Sequence, residues 1–287
     1  MAYITQRIAQ FKRAGLVFDV SDAGPLEGAP VVLLHGWPQG FEEWDQVAEI
    51  LHARGYRTIV PLMRGTSPGA RPRSRFAYRQ QEIVADVVEL IVSHGLAPAH
   101  VVGHDWGAMA AWGLASARPD LVRTLTAISV PHPRAALGVG PWTILDQMRR
   151  SWYAGLFQIP WLPERLLARQ DGFIYRRLIG SGQTPERVRR DLAKMADPET
   201  AHSSIGVYRG AAFSSPSMLK KVSSPTLMIG SDADVAISPV AMRRAGRGVD
   251  GPFRLEMLPG VSHWIPDEKP EVVADLVLQH IAEHAAS

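Results

Sequence analysis

The chain has 287 residues, 46% of them hydrophobic and 21% charged, with no cysteine and a formal net charge of +3. A chain of this size buries one large core, or a core plus a smaller domain. Its basic residues are scattered among acidic and apolar ones and form neither stripe nor tail, so no nucleic-acid partner is expected. The lack of cysteine removes a disulfide framework, a thiolate nucleophile and a cysteine metal site. Met1 to Val20 is interrupted by Arg7, Lys12, Arg13 and Asp19, which breaks up any secretion signal. No stretch approaches the ~20 apolar residues of a membrane span. A cytoplasmic protein without a membrane partner is expected.

Short β-branched runs alternate with longer helical patterns, the signature of a mostly parallel sheet covered by helices on both faces. Val31 to Leu34 reads as a buried strand, Phe41 to Arg54 as the following helix, and Arg57 to Pro61 as the next strand. Tyr78 to His94 carries Ile83, Val84, Val87, Val88, Ile91 and Val92 at helical spacing, and His100 to Gly103 is a further strand. A helix over Ala108 to Arg118, stopped before Pro119, and a strand over Val122 to Val130 follow. From Pro133 to about Pro216 strands vanish, and helices are drawn at Thr143 to Phe157, Pro163 to Ile179, Pro185 to Met195 and Pro198 to Phe213. Strands resume at Pro225 to Gly230 and Pro252 to Leu258, and a helix over Pro270 to His284 closes the chain. The expected organisation is a core over residues 1–133, a helical cap over 134–216 and the rest of the core over 217–287.

Between the third of these strands and its helix stands Val101-Val102-Gly103-His104-Asp105-Trp106-Gly107-Ala108. Two glycines flank an aspartate at a strand-to-helix turn, where strand and helix pass too close for side chains. An aspartate capping an ordinary helix would be spelled the same way. At neutral pH the carboxylate is already ionised, so it needs no base before attacking carbon.

The turn resembles the nucleophile elbow of the α/β-hydrolase fold, with aspartate in place of serine. The whole chain is similar to the epoxide hydrolase and haloalkane dehalogenase branch: a mostly parallel central sheet flanked by helices, with an inserted helical cap. His35-Gly36-Trp37-Pro38 is similar to that branch's His-Gly-x-Pro segment. By this resemblance the backbone amides of Trp37 and Trp106 form an oxyanion hole, each donor worth about 3 kcal/mol of barrier. Pro38 is expected to follow a cis bond. Where many relatives carry Asp-x-Arg-Gly, this chain reads Leu62-Met63-Arg64-Gly65.

His263, one of ten histidines, lies in the loop after the last strand, where this fold keeps its base. Its expected role is to deprotonate the water that opens an ester on Asp105, which suits an imidazole titrating near neutrality. A carboxylate should orient it. Asp232 and Asp234 both follow the strand ending at Gly230, and Asp234-Val235-Ala236-Ile237-Ser238-Pro239 fits the family pattern better, with Asp232 the fallback. His104, His35 and His132 read as structural.

The leaving group separates the two chemistries of the branch. A departing alkoxide needs a proton donor, and a phenol, neutral at pH 7, can serve. Tyr153 before Phe157-Gln158, and Tyr208 before Arg209, match the family cues for cap tyrosines, with Tyr175 in reserve. The resemblance therefore implies a cofactor-free, metal-free epoxide hydrolase. Asp105 attacks, Tyr153 and Tyr208 protonate, and His263 with Asp234 activates water on a small apolar epoxide, in a monomer or homodimer. A haloalkane dehalogenase and a non-catalytic small-molecule receptor are the alternatives. The dehalogenase reading lacks the second halide donor expected where Trp37 stands.

Overall fold

The computed structural model describes residues 6–169, 171–216 and 220–284. The core elements are β1 (Gln10–Arg13), β2 (Leu16–Ala23), β3 (Pro30–Leu34), α1 (Asp45–Ala53), β4 (Arg57–Pro61), α2 (Gln80–Ser93), β5 (Ala99–His104), α3 (Trp106–Ala117) and β6 (Val122–Ile128). Seven short helices follow: α4 (Pro141–Arg150), α5 (Trp152–Leu156), α6 (Leu162–Leu167), α7 (Phe173–Gly180), α8 (Pro185–Ala193), α9 (Pro198–Ser204) and α10 (Gly206–Gly210). The chain returns to the core with β7 (Thr226–Ser231), α11 (Pro239–Arg243), β8 (Phe253–Leu258), α12 (Ile265–Glu268) and α13 (Pro270–Glu283). The expected restart of the core at residue 217 falls on residues 217–219, outside the described residues.

The strands form one eight-stranded sheet in the order β1-β2-β4-β3-β5-β6-β7-β8. From β4 to β8 every pairing is parallel, whereas β1–β2 and β2–β4 are antiparallel. Side chains alternate across a strand, so Val31 and Leu33 face the layer holding α1 and α13, while Val32 and Leu34 face the layer holding α2 and α3. All four are fully buried, as a parallel sheet covered on both faces requires. Strand order reverses around β3. Loops leaving the carboxyl ends of β3 and β5 therefore open a crevice at the switch point.

The β1–β2 hairpin has no counterpart among the expected elements. Its turn is Ala14-Gly15, both with positive φ (49° and 79°), the geometry of a tight two-residue hairpin. Three helices expected as continuous are broken. The α4–α5 break falls at Ser151, and α6 and α7 are separated before Gly172. Between α9 and α10 the hydroxyls of Ser203 and Ser204 bond back to the carbonyls of Glu199 and Ala201, competing with the helical ladder. Prolines begin α4, α8 and α9, where a missing amide proton costs nothing, and the side chains of Thr184 and Asp197 cap the latter two.

Candidate active site

The elbow is sterically tight. Asp105 sits at φ 50°, ψ −118°, a strained conformation for a non-glycine residue. A Cβ on Gly103 would lie 2.3 Å from the Gly107 carbonyl oxygen, one on Gly107 2.0 Å from that of Leu34, and one on Gly36 2.7 Å from the Asp105 Cβ. The Asp105 side chain makes no capping bond to its own helix. Instead Oδ1 accepts the Trp37 amide at 3.0 Å, and Oδ2 lies 3.6 Å from His263 Nε2. The Trp37–Pro38 bond is cis.

His263 Nδ1 meets Asp234 Oδ2 at 2.8 Å. The other Asp234 oxygen accepts the amides of Ala236 and Ile237 at 2.7 and 2.9 Å, which fixes the carboxylate's orientation. Asp232, the fallback acid, is exposed and holds the Gly260 amide at 2.7 Å. Burial favours the neutral forms of Asp105 and His263, yet both hold their charges. For Asp105, burial is outweighed by the bond and charge of His263 and by the Trp37 amide, so its carboxyl stays below the usual range. For His263, burial is outweighed by Asp234 and Asp105, which together push the imidazole up to about 10. In the resting site His263 is therefore a cation between two carboxylates, and the expectation of a base titrating near neutrality does not describe this state.

A cavity of about 420 Å³ lies over these groups, lined by Asp105, His263, Trp37, Tyr153, Phe157 and Tyr208 among others. The rings of Tyr153 and Tyr208 stand 5.8 Å apart and nearly perpendicular, with Phe157 and Trp106 edge-on to Tyr208 at 4.9 Å. Burial first, then the charge of Asp105, raises both phenols above their ordinary value, so both keep their protons at neutral pH. Tyr175 does not line the cavity; the Arg189 guanidinium lies over its ring at 5.4 Å.

The three histidines read as structural, His35, His104 and His132, are buried and tied up in the scaffold. His35 bonds the Gly36 carbonyl and accepts the Met63 amide, while His132 accepts the Arg134 amide and meets the Lys220 carbonyl. His104 contacts Glu43 through Nδ1 and the His263 carbonyl through Nε2 at 3.0 Å. Ser129 Oγ donates to that same carbonyl at 2.9 Å. Glu43 and Ser129 thus anchor the base loop, and sequence reasoning missed both, because their partners are 61 and 134 residues away in the chain.

A second missed pair crosses the cap. Gln158 Nε2 donates to the Tyr208 carbonyl at 3.0 Å, while Arg209 Nε donates to the Phe157 carbonyl at 2.9 Å. The residues that flagged the tyrosines in the sequence are therefore the ones that strap α5 to α10. Arg64 pairs with buried Asp86 beside Leu62-Met63.

Residues 31–276 match the model of the alpha/beta hydrolase family. The AB hydrolase superfamily protein YfhM of Bacillus subtilis is 32% identical over 275 residues, spanning 93% of this chain and 95% of that one. Epoxide hydrolase 3 of Mus musculus is 30% identical over 278 residues, 94% of this chain and 75% of that one. A solved epoxide hydrolase from metagenomes of hot environments superposes with a TM-score of 0.81 at 25% identity, covering 99% of this chain and 100% of that one. Sequence, sheet topology and elbow agree: the chain belongs to the alpha/beta hydrolase family, and it is a hydrolase.

Proposed function

We propose that the protein is an epoxide hydrolase that opens its substrate through an ester on Asp105. The observation that carries this reading is the shared cavity, lined by the Asp105 carboxylate, by His263 with Asp234 bonded behind it, and by the phenols of Tyr153 and Tyr208. Epoxide hydrolases among its relatives, including the mouse protein, support the same chemistry.

Asp105 Oδ1 stays with the Trp37 amide, so Oδ2 is the attacking oxygen. It displaces the ring oxygen from an epoxide carbon while a phenol gives that oxygen its proton. Ester formation removes the negative charge of Asp105, one of the two groups that keep His263 protonated. The imidazolium then releases the proton that restores the phenol. As a neutral base, His263 next takes a proton from water, whose oxygen adds to the ester carbon. Charge on Oδ1 is met by the amides of Trp37 and Trp106. Collapse expels the alkoxide, which takes the proton of the new carboxylic acid. A diol leaves, and the carboxylate–imidazolium pair is restored.

Incubation with styrene oxide tests the reading against its alternatives. Formation of the vicinal diol is expected, with Asp105→Ala inactive. Halide release from a haloalkane with no diol from the epoxide would put the dehalogenase reading in its place. Tight binding of apolar ligands with neither reaction would favour a receptor.

A further inference from the structure

Away from the cavity, the last turn of α13 gathers His280, Glu283 and His284, with one donor atom of each within 4.8 Å of those of the other two. Residues three and four apart in a helix are surface neighbours, so the spacing itself puts the three on one face. The two imidazole rings stand 5.0 Å apart. His280 is 1% exposed, and its ring nitrogens are not equivalent. Nε2 meets the Pro225 carbonyl at 3.2 Å, and because a carbonyl only accepts, Nε2 carries the proton. Nδ1 then presents a lone pair, yet it is buried and has no hydrogen-bond partner among the described residues. A buried acceptor left unpaired is costly, and native structures leave few of them. Glu283 is exposed and His284 half-buried, so the group opens to solvent. Glu283 holds Arg254 through Oε1 at 3.2 Å, which leaves Oε2.

We propose that His280, Glu283 and His284 form a binding site for a divalent transition-metal ion of the zinc type, held by His280 Nδ1, a ring nitrogen of His284 and the Glu283 carboxylate. Two imidazoles and a carboxylate are a donor set that such an ion accepts, and the remaining position falls to water. A backbone carbonyl behind the other ring nitrogen, as Pro225 stands behind His280, is the usual device that fixes the tautomer and orientation of a ligating histidine. The carboxyl end of a 14-residue helix adds the negative pole of its dipole. Pro225 immediately precedes β7, whereas Asp234, which orients the base, follows its other end. Six strand residues put about 20 Å between the two. The ion therefore takes no part in the chemistry at Asp105. It clamps the end of α13 to the start of β7 through His280.

The probe is Zn2+ alone, titrated by calorimetry into the tag-free chain after treatment with a chelator. One equivalent should bind with a Kd of about 10 μM or tighter. At a hundredfold excess over that Kd the melting temperature should rise by about 4 °C. His284→Ala and Glu283→Gln change side chains outside the core, so each should melt like the wild type without zinc. Each should weaken zinc binding about 10-fold or more and lose most of the thermal shift. Cu2+ in place of zinc should show electron-paramagnetic coupling to two ring nitrogens in the wild type and to one in His284→Ala. The absence of saturable zinc binding below about 100 μM would overturn the proposal. So would binding that persists undiminished in both variants, which would put the ion on other histidines. Zinc bound without a rise in melting temperature would overturn the clamp.

Discussion

The core and the cap hold their reactive groups by different means. In the core, Asp105 is fixed by a strained backbone, by glycines that admit no Cβ and by the Trp37 amide, while His263 is held by Asp234 and, through its own carbonyl, by His104 and Ser129. In the cap, Tyr153 and Tyr208 stand on helices of five residues, placed by ring packing and by the Gln158 and Arg209 straps. Directional bonds in a buried setting tolerate little change, whereas a surface of stacked rings can shift and still fit. On the proposed mechanism the two half-reactions divide between the regions: ester formation draws on both, and ester hydrolysis on the core alone.

The largest effect should come from separating the halves at the base. His263→Gln is expected to lower steady-state turnover about 1000-fold or more, while one equivalent of alkylated enzyme accumulates and is seen by intact mass. Normal turnover by this variant would remove His263 from the account. On the cap side, Tyr153→Phe and Tyr208→Phe should each slow ester formation about 100-fold, the usual loss for a general acid, and the double variant should lose nearly all of it. Single-turnover kinetics should find ester hydrolysis unchanged. Equal slowing of both steps would erase the division between core and cap.

Much of this was legible in the sequence because the signals were local. The elbow needs glycines at fixed offsets from Asp105, and the β4 strand centres on the β-branched run Thr58-Ile59-Val60, so both stand where expected. The structure favours Asp234 over Asp232 by a single hydrogen bond, which neighbouring residues could only suggest. The hairpin Gln10–Ala23 was missed because a strand ending in Lys12-Arg13 with an Ala14-Gly15 turn has a weak alternating pattern. Anchors such as Glu43 were invisible because they act across long chain separations, and the charge of His263 depends on two acids brought together by folding.

Two smaller effects probe the rigidity of the core. Gly107→Ala would force a Cβ to within 2.0 Å of the Leu34 carbonyl oxygen. A loss of about 3 kcal/mol in denaturant unfolding is expected, at the upper end for overpacking. A variant as stable as the wild type would mean that the elbow can relax. The smallest effect is the pH dependence of stability from His263. Its folded pKa of about 10 exceeds its ordinary 6.5, so its contribution is fully present below about 6.5 and lost as pH rises through about 10. His263→Gln should flatten the decline in thermal stability across that window, and an unchanged pH profile would contradict a resting imidazolium.

The central claim, that Asp105 forms a covalent ester, is tested most directly by a single turnover in heavy-oxygen water with enzyme in excess over styrene oxide. The label should appear in the Asp105 carboxylate, located by peptide mass spectrometry. The first diol should carry unlabelled oxygen from the enzyme. Label in that first diol, with an unlabelled Asp105, would mean that water attacks the epoxide directly and would contradict the account.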